Sequence, residues 1–324
     1  MKLLVTGGAG YIGSVVTRLL LDAGHEVVVL DDLRTGHAVA LAPEATHVNA
    51  PIHEAATVLT PEAGFDGVLH FASLIQAGES MVKPEKYWEV NVVGSLRLLE
   101  AARAAGVRKF IFSSTAAVYG NPAEVPIPED AAKQPTNTYG ATKLAFDMAL
   151  TSETFAHRLG AVSLRYFNVA GAYLRDGVAI GERHDPETHI IPIALQVAAG
   201  KRDKLQLFGD DYPTPDGTCV RDYIHVEDLA RAHLLALDAA VPGEHKIFNL
   251  GNGTGFSNRE IVDAAREVTG AELPVEVAPR RDGDPAILVA SSQRARDELG
   301  WVPQKATLAD MIGDAWAFYR SHVA

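Results

Sequence analysis

Through the first half of the chain, short apolar runs alternate with longer stretches whose apolar residues recur every three or four positions. Leu3, Leu4 and Val5 form a run closed by Thr6 and two glycines, the pattern of a strand buried on both faces. Over 11–23, Ile12, Val15, Val16, Leu19 and Leu20 share one helical face, and Gly24 stops the helix. The run Glu26–Leu30 predicts the next buried strand and ends at Asp31 and Asp32. Further strands are expected over 65–71, 109–113 and 161–166, and long helices over 87–105 and 139–159.

Strands alternating with helices mean βαβ units and a parallel sheet covered on both faces. The expected fold is α/β: a Rossmann-like doubly wound sheet with a smaller C-terminal α/β lobe. The pattern weakens after Asn168, and Pro, Gly and Asp crowd the stretch 212–217. We therefore divide the chain into 1–167, a dinucleotide-binding domain, and 168–324, a substrate lobe. Within the latter, 222–238 reads as a strand and helix returning to the first domain.

The first chemistry lies where the first strand meets the first helix. Gly8-x-Gly10-x-x-Gly13, with Gly7 before it, follows a strand and opens a helix. Such glycines allow a tight turn and let backbone approach a pyrophosphate, which the helix N-terminus then faces with free N–H groups. Asp31 comes 18 residues after Gly13, where a carboxylate accepts hydrogen bonds from ribose hydroxyls. It favours NAD over NADP, whose extra phosphate it would repel; Arg34 argues mildly the other way.

Tyr139 and Lys143 stand four apart in a predicted helix and so share a face. A free tyrosine is a poor base at neutral pH, but an ammonium and a cationic nicotinamide beside it favour the phenolate. The strand at 109–113 runs into Ser113, Ser114 and Thr115, hydroxyls at the sheet edge where ligands sit in open α/β folds. A hydroxyl there can bond a substrate alcohol and relay its proton to Tyr139.

Charge and composition narrow the class. The net charge of −12 argues against a nucleic-acid surface, and no apolar run spans a bilayer. A single cysteine, Cys219, excludes an internal disulfide and a cysteine-based zinc site. The 12 histidines show no familiar metal spacing, so surface and capping roles are expected and no metal is assigned. The N-terminus reads as a strand start rather than a signal peptide, which makes the cytoplasm the expected location.

Taken with VTGGAGYIGS, HFAS, SSTAAVYG, YGATK, RYFNVAGA, DGTCVRDYIHVEDLA and RRDGD, the chain resembles the extended short-chain dehydrogenase/reductases. Within them it is similar to the UDP-glucose 4-epimerase family, from Met1 to about Tyr319. The resemblance implies Tyr139 as base, Lys143 as its tuner and Thr115 in place of a usual serine. It implies NAD contacts from Gly7, Gly10, Tyr11, Ile12, Gly13, Asp31, Asp32, Phe71, Ala72, Lys143 and Phe167. For a UDP-sugar it implies Thr115, Tyr139, Asn168, His189, Phe208, Arg221, Arg281, Asp284 and Leu288. Guanidinium groups suit a diphosphate in any case.

The implied activity is interconversion of UDP-glucose and UDP-galactose by transient oxidation at C4 with retained NAD, in a homodimer. The chain departs from the family pattern at Pro51, Ile75 and the pair His189-Ile190, and the first two predict looser NAD retention. Leu288 takes a position of intermediate size where sugar bulk is sorted. Alternatives stay open: an epimerase of UDP-N-acetylglucosamine or UDP-glucuronate, a 4,6-dehydratase, or a non-catalytic NAD-sensing protein. The dehydratase needs an Asp-Glu pair after the threonine, and Ala116-Ala117 stand there.

Overall fold

The computed structural model describes residues 1–281 and 284–323. Asp282 and Gly283, inside the RRDGD motif, lie outside the described residues. Six strands follow the first half of the chain: β1 (Lys2–Thr6), β2 (Glu26–Leu30), β3 (Thr46–Val48), β4 (Gly67–His70), β5 (Lys109–Thr115) and β6 (Gly160–Tyr166). With the strand His245–Leu250 they form one parallel sheet. Its order is His245–Leu250, β6, β5, β4, β1, β2, β3.

Helices cover both faces, and the pleat explains how one strand feeds two cores. Leu3 and Val5 of β1 point to one side, where they meet Val15, Val16 and Leu20 of α1 (Tyr11–Asp22). Leu4 points to the other side, toward Leu98 and Leu99, and Phe146 and Leu150 from a second helix. Each of these fully buried side chains contributes roughly 1.5–3 kcal/mol by leaving water. After α1 the chain forms α2 (Ala77–Val82), α3 (Pro84–Trp88), α4 (Ser95–Ala104) and α5 (Thr138–His157), and Leu98 and Leu99 belong to α4, Phe146 and Leu150 to α5.

The expected helix over 87–105 is corrected in form. It starts at Pro84 as α3, widens into a π-helical stretch over Glu89–Gly94, and regains α geometry as α4. The π turn lets Asn91 reach two neighbours at once. Its amide donates to the Leu74 carbonyl at 2.9 Å and to Thr142 Oγ1 at 3.2 Å, tying the loop after β4 to α5. Strand β5 also runs two residues past its expected end, so the three hydroxyl residues belong to the strand itself. Strand β4 is shorter than 65–71 at both ends.

Beyond β6 the chain builds a smaller body. The strands β7 (Asn168–Ala170), β8 (Ala172–Arg175) and β9 (Val178–Gly181) lead to α6 (Ile190–Ala198) and, after Tyr223–His225, to α7 (Val226–Ala239). The strand Tyr223–His225 pairs with β7 rather than with the central sheet, while α7 lies against α1. The seventh sheet strand, His245–Leu250, was not expected from the sequence; its half-polar start (His245, Lys246) hides an apolar end. A separate core joins α6, α8 (Asn258–Thr269) and α10 (Leu308–His322), with α9 (Gln293–Leu299) packed back on the sheet through Ala295.

Candidate active site

The glycine turn sits at the carboxyl end of β1, in the middle of the sheet, and its backbone is closely invested. Gly7 has φ +74°, and a Cβ there would lie 2.6 Å from the Ala72 nitrogen. A Cβ on Gly13 would meet the Gly7 carbonyl oxygen at 2.3 Å. Helix α1 starts at this turn with no side-chain cap and no acidic residue in its first turn. Its leading N–H groups are thus available to an anion, which fits a dinucleotide pyrophosphate.

Asp31 stands at the end of β2, buried at 8% exposure. Its carboxylate accepts the Ala9 N–H at 2.9 Å and the Leu33 N–H at 2.8 Å, so it also braces the glycine turn. Arg34 is engaged by Asp32 at 3.1 Å, which ties up the one cation that argued for a 2′-phosphate. Phe71 and Ala72 follow β4, with the Phe71 ring 4.8 Å from the ring of His233. Tyr11 donates its hydroxyl to the Gly171 carbonyl at 2.7 Å, joining α1 to the second half of the chain. The rest of its neighbourhood follows from the turn, with Gly10 capping α1 and Ile12 packed on the first core.

Two beds along, β5 brings its hydroxyls to α5. Asn137 caps that helix, its Oδ1 accepting the Gly140 N–H at 2.8 Å. A Cβ on Gly140 would lie 2.5 Å from the Ala117 carbonyl oxygen, so glycine lets α5 press on the turn after Thr115. The Thr115 hydroxyl faces the Tyr139 phenol and favours its ionised form, but burial outweighs it and raises the phenol above its usual value. Lys143 donates to the Ser113 carbonyl at 2.9 Å and lies 5.9 Å from the centre of the Tyr139 ring. Burial pushes its ammonium down to about 7, against the upward pull of Asp147.

Asp147, one turn further along α5, went unremarked in the sequence. It makes a buried ion pair with Arg165 of β6 at 2.8 Å and accepts from the Ser114 hydroxyl at 3.2 Å. Arg165 in turn donates to the Tyr119 hydroxyl at 3.0 Å, and Tyr119 to Asn249 at 2.7 Å. The spacing Lys143-x-x-x-Asp147 was a usable signal, because it puts a carboxylate under the lysine on the same helical face.

The expected substrate residues form two groups. In the first, Arg221 pairs with Asp284, and the strand Val220–Arg221 sets Arg221 beside Leu288 in register. Leu288 packs with Phe167 against Val118, Tyr119 and Ile127, which links it to the turn after Thr115. Asn168 donates its side-chain amide to the Asp222 carbonyl at 3.1 Å. In the second, the Arg281 guanidinium lies 4.0 Å from the centre of the Phe208 ring.

His189 is the residue that opens α6. Its Nδ1 lies 2.6 Å from Glu182 Oε1 and 3.4 Å from Glu187 Oε1. Burial lowers its pKa, but both carboxylates overcome that and carry it up to about 10. The same histidine, helped by His184, draws Glu182 down to about 2 against its burial. Glu182, His184, Glu187 and His189 place one donor atom each within 4.8 Å of one another.

Residues 3–251 match the NAD dependent epimerase/dehydratase family. A UDP-glucose 4-epimerase of Corynebacterium glutamicum is 54% identical over 329 residues, covering 100% of this chain and 99% of that protein. One of Streptomyces lividans is 56% identical over 324 residues, covering 99% and 97%. The crystal structure of the Brucella ovis UDP-glucose 4-epimerase in complex with NAD superposes with a TM-score of 0.93 at 43% identity, over 98% of each chain. The chain belongs to the NAD dependent epimerase/dehydratase family.

Proposed function

We propose that the chain interconverts UDP-galactose and UDP-glucose, using NAD as a retained cofactor. The observation that carries this reading is the meeting of Thr115, Tyr139 and Lys143 at the carboxyl end of β5, followed by Ala116 and Ala117. A dehydratase needs an acid and a base there to remove water, and two methyl groups supply neither. End-to-end similarity to UDP-glucose 4-epimerases supports the same choice.

The residues suit the steps required. Tyr139 takes the C4 hydroxyl proton, with Thr115 bonding the same oxygen. When bound, NAD would supply the reversible hydride transfer at C4 that the reaction requires. Lys143 holds the ribose side of the cofactor and, when charged, stabilises the phenolate. Asp31 receives ribose hydroxyls, and the glycine turn with Tyr11 and Ile12 holds the pyrophosphate. Arg221 and Arg281 bind the diphosphate of the substrate, with Asn168, Phe208 and Asp284 around it. Arg221 then exchanges its present partner, Asp284, for phosphate oxygens. The sugar is held loosely enough for the 4-keto form to turn while UDP stays anchored. No net oxidation results, because hydride and proton both return.

Proton NMR of UDP-galactose with purified protein, with and without added NAD, tests this directly. We expect the gluco anomeric signal to grow without net NADH. A 4-keto-6-deoxy product, or no conversion of any UDP-sugar, overturns it. A requirement for added NAD would locate the effect of Pro51 and Ile75. Trials with UDP-N-acetylgalactosamine read what Leu288 admits.

We also place a homodimer contact on α3, α4 and α5. Trp88 and Leu96 are about two-fifths exposed, and Met148 and Phe155 are largely exposed, at 64% and 92%. Apolar area of that kind favours a self-complementary contact. No described helix is long and apolar enough to cross a membrane. The cytoplasm is the location we assign.

A further inference from the structure

Glu182, His184, Glu187 and His189 lie in the segment that joins β9 to α6. One ligand atom from each comes within 4.8 Å of all the others. We propose that these four residues bind one divalent transition-metal ion of the zinc type, in a closed structural site.

The donor set selects the class of ion. Two imidazoles and two carboxylates suit zinc and its neighbours, whereas magnesium and calcium prefer oxygen alone. The distances are close to what coordination needs. Bonds of 2.0–2.2 Å at tetrahedral angles set adjacent donors about 3.3–3.5 Å apart. Glu187 Oε1 and His189 Nδ1 already stand 3.4 Å apart. Glu182 Oε1 lies 2.9 Å from His184 Nδ1 and 2.6 Å from His189 Nδ1, so the first pair would open by about 0.5 Å and the second by about 0.8 Å on taking up an ion.

Charge supports the same conclusion. The side chains of Glu182 and Glu187 are 8% and 5% exposed. Among the described residues, neither has a lysine or arginine at ion-pair distance; their ionic partners are the two histidines, whose protons a metal ion would replace on binding. Buried carboxylates are normally paired with a cation or bind a metal. The second cluster of such residues, His225, Glu227 and Asp314, differs at this point. There Lys305 lies 2.8 Å from Glu227 and 2.6 Å from Asp314 and already fills the cationic role.

Four protein donors leave no open position, so the ion would organise rather than catalyse. It would clamp the start of α6 to the end of β9. His37, in the loop after β2, reaches the Arg183 carbonyl at 3.0 Å, so the clamp would also steady the contact with the first half of the chain.

The test is zinc chloride titrated into the full-length chain, free of any histidine tag and stripped by a chelator, in competition with a chromophoric chelator. We expect one equivalent bound with Kd below about 1 μM, and an affinity at least about 100-fold lower in both Glu182→Gln and His184→Ala. X-ray absorption on the wild type reads the donors without any variant, so misfolding of a variant leaves the proposal exposed. The expected shell holds two imidazoles and two oxygens. Absence of tight binding, a shell without imidazole, or affinity unchanged in Glu182→Gln overturns the proposal.

Discussion

Lys143 is 2% exposed, and burial costs its charge more than Asp147 returns. In the unfolded chain a lysine keeps its proton up to about 10.5, whereas here it lets go near 7. Between those values the unfolded state binds more protons, so the cofactor-free protein gains stability as pH rises through that window. The penalty is complete below pH 7 and absent above 10.5. At ~1.36 kcal/mol per pH unit it approaches about 5 kcal/mol, as an upper bound. Lys143→Met should therefore raise the melting temperature of the cofactor-free chain more at pH 6 than at pH 10. Equal differences at both pH values would mean that the buried charge is not the destabilising element. For Tyr139, truncation of the hydroxyl in Tyr139→Phe should lower kcat by about 10²–10⁴-fold with NAD content unchanged. A variant that keeps most of its turnover would remove Tyr139 as the base.

At the scale of elements, the glycine turn and α1 form one unit whose geometry excludes side chains. A methyl group on Gly13 would stand 2.3 Å from the Gly7 carbonyl oxygen, and neither backbone can yield. Gly13→Ala should cost about 1–3 kcal/mol in urea unfolding and should lower the NAD recovered per chain. Unchanged stability and cofactor content would show that the turn relaxes. The turn was legible in the sequence because local spacing alone defines it. The π-helical stretch was not, since residues 89–94 keep a helical apolar pattern and only the reach of Asn91 to Leu74 and Thr142 reveals the wider coil. Strand β5 and α5 were expected, although β5 ends two residues later and α5 two residues earlier than the pattern predicts, and their contact through Gly140 and Ala117 depends on how the sheet stacks them.

For the whole molecule, the exposed apolar residues of α3, α4 and α5 make assembly the testable property. Phe155→Arg changes an almost fully exposed side chain, so its effect on folding should stay within about 0.5 kcal/mol. Light scattering should then find monomer where the parent chain gives dimer; a monomeric parent would sink the proposed interface. The sequence by itself determined the doubly wound sheet through β6, the dinucleotide turn and the Tyr139–Lys143 pair. Each rests on periodicity or on residues within a few positions of one another. Tertiary structure alone decided which distant groups meet. It brought His245–Leu250 in as the seventh strand, set Leu288 against Phe167, paired Arg165 with Asp147 of α5 and paired Arg221 with Asp284. These contacts join positions that local pattern treats as independent, and only the closing of the sheet and the packing of its two faces couple them.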